Sequence, residues 1–315
     1  MSKYLFLFVA LFLNWSLLGQ LSSNFNSSKN WSLNKKEIFF TIGGTHFLGD
    51  LGGLDRIGTT KSPVDIDWNM SRLGGGLGYR YRFRPMWAWS AQLYGGFLRG
   101  DDANTNEIIR RSRNLSFRSP IIEFSNRIEA ILYARETRGA RYKIQGLRGF
   151  RSNSELIYIF SGISGIYYNP QGKVDNTWVN LHPLRTEGQG LPDGPEEYGR
   201  LSLAIPFGLG IKIGIGRFWR VGLEIIYNKT FTDYIDDVST NYYDPSVLAN
   251  EFGQESAYFS NTASENLNWF TPGQQRGNPR DNDAYLFSNI TFLRNITYAK
   301  TRGSSRVRWK GKTKF

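Results

Sequence analysis

The chain contains no cysteine, which removes a disulfide framework, a thiolate metal site and a thiol nucleophile in one step. Histidine is nearly as scarce: His46 and His182 are the two present, too few for a histidine-built metal centre. After the N-terminus no apolar run approaches the ~20 residues that a membrane-crossing helix needs, and the mean hydropathy is −0.41. A helical membrane protein is thereby excluded. What is abundant points elsewhere. Aromatic residues make up 15% of the chain, and glycine occurs 34 times in 315 residues. A half-polar, glycine- and aromatic-rich chain can enter a membrane only as a closed barrel of alternating strands.

The N-terminal stretch MSKYLFLFVALFLNWSLLGQ has an early cation at Lys3, an apolar core over 4–13, and small residues at Ser16 and Gly19. That order reads as a secretory signal peptide over 1–19, cut near Gly19 and Gln20. Asn14 and Ser16 interrupt the apolar run and no basic stop-transfer flank follows, which disfavours a membrane anchor. The mature chain is expected to be exported.

The period of two then recurs along the chain. In 37–46, Ile38, Phe40 and Ile42 share one face and Thr41, Gly43 and Thr45 the other. In 72–83, Leu73, Leu77, Tyr79, Tyr81 and Phe83 oppose glycines and the arginines 72, 80 and 82. Trp87, Trp89, Ala91, Leu93 and Phe97 alternate with Ser90, Gln92, Tyr94 and Gly96. In 119–133 isoleucines and phenylalanine oppose Glu123, Ser125, Arg127 and Glu129. The segment 155–168 is strand-like, but its two faces do not separate. Segments 203–213 and 218–232 form a hairpin with Lys212, Arg220 and Glu224 on one face, and 284–298 closes the series. Most of these runs are longer than the ~5–6 residues usual in soluble strands and match the ~9–11 of tilted membrane strands.

Short turns at Arg84-Pro85 and 214–217 alternate with long connections, while 134–154 is of intermediate length. The reading is all-β: an eight-stranded antiparallel up-and-down transmembrane barrel over 37–299, with long extracellular loops. Residues 20–36 form a periplasmic N-terminal segment, and both termini lie on the periplasmic side. No second amphipathic layer exists to cover the apolar faces, so outer-membrane lipid is the expected partner there. The interior of so small a barrel is filled by side chains. Arg80, Gln92, Tyr94, Glu123, Arg127, Glu129, Lys212, Arg220 and Glu224 are expected to form a neutralising polar network inside it. Glycines such as Gly74, Gly76, Gly78, Gly208 and Gly210 make room for these long side chains. The aromatics beside the short turns are expected at a membrane interface.

The end of the chain, 300–315, carries Lys300, Arg302, Arg306, Arg308, Lys310, Lys312 and Lys314 and no carboxylate, more than half of the net charge of +12. It reads as a solvated periplasmic tail, or as a docking arm for an acidic periplasmic protein. Nucleic acid does not suit an exported barrel. Catalysis has little support. Neither histidine shows a nucleophile or acid at recognisable spacing, GISGIYY lacks the G-x-S-x-G elbow, and the glycine-rich runs do not open helices. Asp233, Asp236, Asp237 and Asp244 lack the central glycine and closing glutamate of an EF-hand. They are expected in a solvated acidic loop, and no metal or cofactor is expected. The aromatic residues of 242–270 suggest that this connection packs over the barrel mouth.

Four segments carry a family resemblance: EIFFTIGGTHFLGDLGG (37–53), RLGGGLGYRYRFRPMWAWSAQLYGGFLRGDD (72–102), YYDP (242–245) and DNDAYLFSNITF (281–292). They resemble the PorG-like, DUF6089-type outer-membrane proteins of Bacteroidota. Gly44, Gly49, Asp50 and Leu51, then Arg72, Arg80, Tyr81, Arg82, Phe83, Pro85 and the Gly100-Asp101-Asp102 run, stand at the positions of that family's pattern. The resemblance implies a non-enzymatic barrel, without cofactor, that ties the periplasmic part of a type IX secretion and gliding apparatus to the outer membrane. The alternatives are a small porin and, from a third class, a lipid-modifying enzyme that would need His46 or His182 close to a serine and an acid at the rim.

Overall fold

The computed structural model describes residues 31–51, 67–105, 107–136, 154–215, 218–263, 265 and 267–296. The signal peptide, the basic tail and most of the connection 134–154 lie outside the described residues. The strands are β1 (Lys36–Leu48), β2 (Arg72–Arg84), β3 (Trp87–Asp101), β4 (Ser116–Glu136), β5 (Ser154–Tyr168), β6 (Gln171–Val174), β7 (Thr177–Asn180), β8 (Leu201–Gly214), β9 (Trp219–Thr230) and β10 (Ala284–Asn295). All except β6 and β7 form one closed, eight-stranded antiparallel barrel. The seam is β1 against β10, in register from Glu37↔Asn295 to Leu48↔Ala284. Closure leaves none of these eight strands at an open sheet edge, which a hydrocarbon solvent demands. Among the described residues no helix is long and apolar enough to cross a membrane.

The alternation sorts side chains as its period requires. Leu73, Leu77, Ile163 and Leu223 are 60–76% exposed on the outside, while their sequence neighbours turn inward. Such a belt would be unfavourable in water at roughly 25 cal/mol per Å² of apolar surface. Phe83, Trp87, Phe218 and Trp219 are exposed beside the short turns, a placement that favours amphipathic rings at a membrane interface. The two ends of the barrel sequence meet at this same short-turn end, where Asn295 Nδ2 donates to Asn34 Oδ1 at 2.5 Å.

The inside is crowded, and glycine makes the crowding possible. A Cβ on Gly210 would fall 2.2 Å from Tyr158 Cζ, and one on Gly208 2.1 Å from Phe160 Cζ. Gly210→Val is therefore expected to displace Tyr158 and destabilise the barrel by about 1–3 kcal/mol, the usual range for overpacking. A lower temperature for loss of the heat-modifiable gel band would register it; an unchanged temperature would show that the interior has slack.

Three features depart from the sequence reading. The segment 155–168 resisted assignment because both its faces are apolar: Leu156, Tyr158 and Phe160 are buried inside, while Ile159 and Ile163 are exposed outside. β3 and β4 run on past the apolar belt to Asp101 and Ser116, because ladder hydrogen bonds do not require the outward residues to be apolar. The connection 169–200 contains the hairpin β6–β7, which pairs with β4 at Arg118↔Gln171. Its turn is Asp175-Asn176, both with positive φ (46° and 65°). Two such residues match the twist of flanking strands in a two-residue hairpin loop.

Candidate functional site

Every polar residue assigned to the lumen from sequence is buried there: Arg80, Gln92, Tyr94, Glu123, Arg127, Glu129, Lys212, Arg220 and Glu224. They lie at two levels of the lumen. Near the short-turn end, Arg80 donates from Nε to Glu129 Oε2 at 2.5 Å and from Nη1 to Glu37 Oε2 at 2.9 Å. Arg220 also donates to Glu37, Lys212 Nζ lies 3.8 Å from Glu129, and Arg127 Nη1 lies 3.5 Å from Glu224. The Tyr158 hydroxyl donates to Glu224, and its ring lies 4.2 Å from Lys212 Nζ. Nearer the long-loop end, Glu123 accepts from Tyr285 at 2.5 Å and Ser164 at 3.1 Å. Tyr94 donates to Asn289 Oδ1 at 3.0 Å, and Gln92 to Thr41 Oγ1 at 2.8 Å.

Glu37, Glu123, Glu129 and Glu224 thus stand against Arg80, Arg127, Lys212 and Arg220. Buried charges survive only when paired and hydrogen-bonded; a fifth buried cation on the same face, Arg82, donates to the Pro85 carbonyl. Sequence reasoning missed Glu37, although extending the β1 alternation from Thr41 back through Phe39 reaches it. It also missed Tyr158 and Tyr285, whose strands carry apolar residues on their inward faces.

The long connections fold into a cap over the far mouth, as the aromatic content of 242–270 suggested. Tyr242, Phe259 and Phe270 are buried in it. Two arginines tie it together. Arg113 pairs with Asp102 through Nε and Nη2 at 2.7 and 3.0 Å, and donates to the carbonyls of Arg276 and Asp50 at 2.7 and 2.8 Å. Arg276 pairs with Glu187 at 2.9 Å and donates to the carbonyls of Asp237, Ser260 and Phe259. Glu187 in turn accepts from the backbone N–H groups of Ser239 and Thr240 at 2.9 and 3.0 Å.

The solvated acidic loop expected at 233–244 is corrected here. Asp233, Asp236 and Asp237 are buried, and the last two accept from donors on other connections. Asp236 Oδ2 accepts from Leu51 N at 3.2 Å, and Asp237 accepts from the hydroxyls of Thr186 and Tyr198 at 2.6 and 2.5 Å. Asp244 alone of the four remains at the surface, capping the helix Pro245–Phe252. Among the described residues no group of three or more acidic or histidine side chains is placed to hold a metal ion.

Neither histidine assembles a triad. His46 faces outward on β1 beneath the edge of Trp68, with Nε2 3.0 Å from Ser288 Oγ and Nδ1 2.7 Å from Ser71 Oγ. It therefore meets a serine, but a second hydroxyl stands where a triad sets the carboxylate that orients the imidazole. His182 bonds through Nε2 to the Tyr198 carbonyl at 2.9 Å.

The family described as "Domain of unknown function (DUF6089)" matches residues 23–301. The chain belongs to the DUF6089 family. No curated protein matches the sequence of this DUF6089 chain. Among solved structures it is similar to Ail, the attachment invasion locus protein of Yersinia pestis, at 10% identity over 82% of this chain and 97% of that one, with a TM-score of 0.32. It is also similar to Neisserial surface protein A, NspA, at 7% identity over 82% and 97% of the two chains, with a TM-score of 0.34.

The cap of this DUF6089 barrel is expected to respond to pH. Burial pushes the Asp237 carboxyl up to about 6, although Arg276 and the two hydroxyls pull the other way. Burial, with Asp50 and Asp233 nearby, pushes Asp236 up as well. A carboxyl whose folded pKa exceeds its unfolded value of about 4 holds its proton more tightly when folded. Its contribution is complete below that unfolded value and is lost as pH rises through about 6. Amide hydrogen exchange of 231–283, corrected for intrinsic rates, should therefore show better protection at pH 5 than at pH 7.5. Asp237→Asn should reduce the difference, and equal protection at both pH values would contradict the assignment.

Proposed function

We propose that this protein is a non-enzymatic outer-membrane barrel whose role is mechanical, anchoring or organising a periplasmic assembly of the type IX secretion and gliding kind. The observation that carries the reading is the lumen. Its fill of buried, mutually neutralised ion pairs from Glu37 to Glu224 opposes a diffusion channel, because a permeant solute would have to separate several buried pairs. The lipid-facing belt supports membrane insertion, and short turns are the periplasmic mark of such barrels. On this reading the cap faces outward and both termini the periplasm, so the basic residues 300–315 would emerge where a partner can be captured electrostatically. The secretion-apparatus assignment draws on the likeness of 37–53 and 72–102 to the PorG-like proteins.

The test combines two measurements. The purified barrel should be silent in planar bilayers, and sustained openings would overturn the structural role. Deleting 301–315 should leave a heat-modifiable barrel yet release periplasmic proteins that crosslink to the full chain in native envelopes. Unchanged co-purification would end the docking role of the tail.

A further inference from the structure

On β3 and β4 the outward apolar face ends at Phe97 and Pro120, which are register partners. The next outward pair toward the long-loop end is Arg99 directly opposite Arg118. Like charges placed opposite one another on a sheet repel, so this pair calls for an anion. Trp178 of β7 lies over both guanidinium groups, its ring centre 4.3 Å from the central carbon of Arg118 and 5.9 Å from that of Arg99. Stacking of this kind fixes the guanidinium planes and leaves their edges to hydrogen-bond elsewhere. Arg118 directs Nε and Nη2 to Gln171 Oε1 at 3.0 and 2.7 Å. Arg99 makes a loose ion pair with Asp101 Oδ2 at 3.9 Å, beyond hydrogen-bond reach, and its Nε is buried with no acceptor among the described residues. Arg72 at the adjoining end of β2 interacts electrostatically with Arg99 and with the carboxylate of Asp67.

From this arrangement we propose that Arg99 and Arg118 bind the phosphate of a lipid headgroup in the outer leaflet. The inference rests on the membrane-spanning reading given above. The stacked Arg99 guanidinium, with the part of Arg118 that is not turned to Gln171, suits a multiply charged tetrahedral anion with several acceptor oxygens. The level of the pair identifies the source as lipid. It stands two residues past the last apolar outward pair, about 7 Å along the strands, which is the depth at which hydrocarbon gives way to headgroups. Leu93, Phe97, Ile122 and Phe124, all exposed below it, supply a surface for the acyl chains of the same lipid.

The experiment uses the full mature chain in detergent, titrated with lipid A and with lipid A stripped of its phosphates, with bound lipid read by native mass spectrometry. The phosphorylated form should bind more tightly. Arg99→Gln with Arg118→Gln should weaken that binding about 30-fold, on the order of fivefold per cation near a charged membrane surface. Trp178→Leu should weaken it with the charge unchanged. Equal binding of both lipids, or undiminished binding by the double variant, would overturn the proposal. Competition by inorganic phosphate as effective as that by lipid A would overturn the assignment to lipid. Flotation of the same proteins with vesicles separates the levels: a chain that does not float sinks the membrane reading, whereas one that floats with phosphate-independent binding sinks this site alone.

Discussion

Replacing Arg80 with methionine is expected to destabilise the barrel by about 3–5 kcal/mol, the range for removing one partner of a buried ion pair. Methionine keeps most of the length of the side chain, so the loss is one of charge. Glu37 and Glu129 each lose a donor that approaches within 2.9 and 2.5 Å, and two buried carboxylates lose a cation they share. Adding Glu129→Gln to Arg80→Met restores the net charge of the wild-type interior and should recover most of the stability, because removing both partners of a buried pair is tolerated far better than removing one. Urea unfolding of the reconstituted barrel, followed by the heat-modifiable band, measures both variants. If Arg80→Met unfolds with the wild type, water reaches these groups and the lumen is not sealed.

Arg276→Met should have a comparable cost confined to the cap. Arg276 is buried, and it satisfies Glu187 together with three backbone carbonyls drawn from two stretches of the 231–283 connection. Without it Glu187 is left charged and buried, worth about 3–5 kcal/mol. The eight strands make no hydrogen bond to this guanidinium, so the barrel should keep its melting temperature while 231–283 becomes open to protease. A cap as resistant as in the wild type would mean that its aromatic packing, such as Tyr198 stacked on Tyr234 at 4.3 Å, suffices without the ion pair.

Legibility in the sequence followed from how many environments a strand face could meet. On β2 to β4, β8 and β9 the outward side is apolar and the inward side carries the charged residues, and period two assigned the inward residues from Arg80 to Glu224. On β5 the inward side is itself apolar at Leu156, Tyr158 and Phe160, so the alternation vanished and with it the tyrosine that binds Glu224. The Asp175-Asn176 turn was a local signal that the long connection concealed. The cap acids were misjudged for a different reason. Their composition is that of a solvated loop, and what buries Asp237 is a pair of hydroxyls at Thr186 and Tyr198, 51 and 39 positions away.

The sequence by itself determined which side of each strand meets lipid, because side chains alternate strictly and hydrocarbon rejects charge. It also determined that the opposite side must balance its ions. Tertiary structure alone decided which carboxylate answers which cation. That choice depends on the stagger with which the sheet closes: Glu37 and Arg220 meet across 183 positions of chain only because β1 and β9 flank the same strand at the seam.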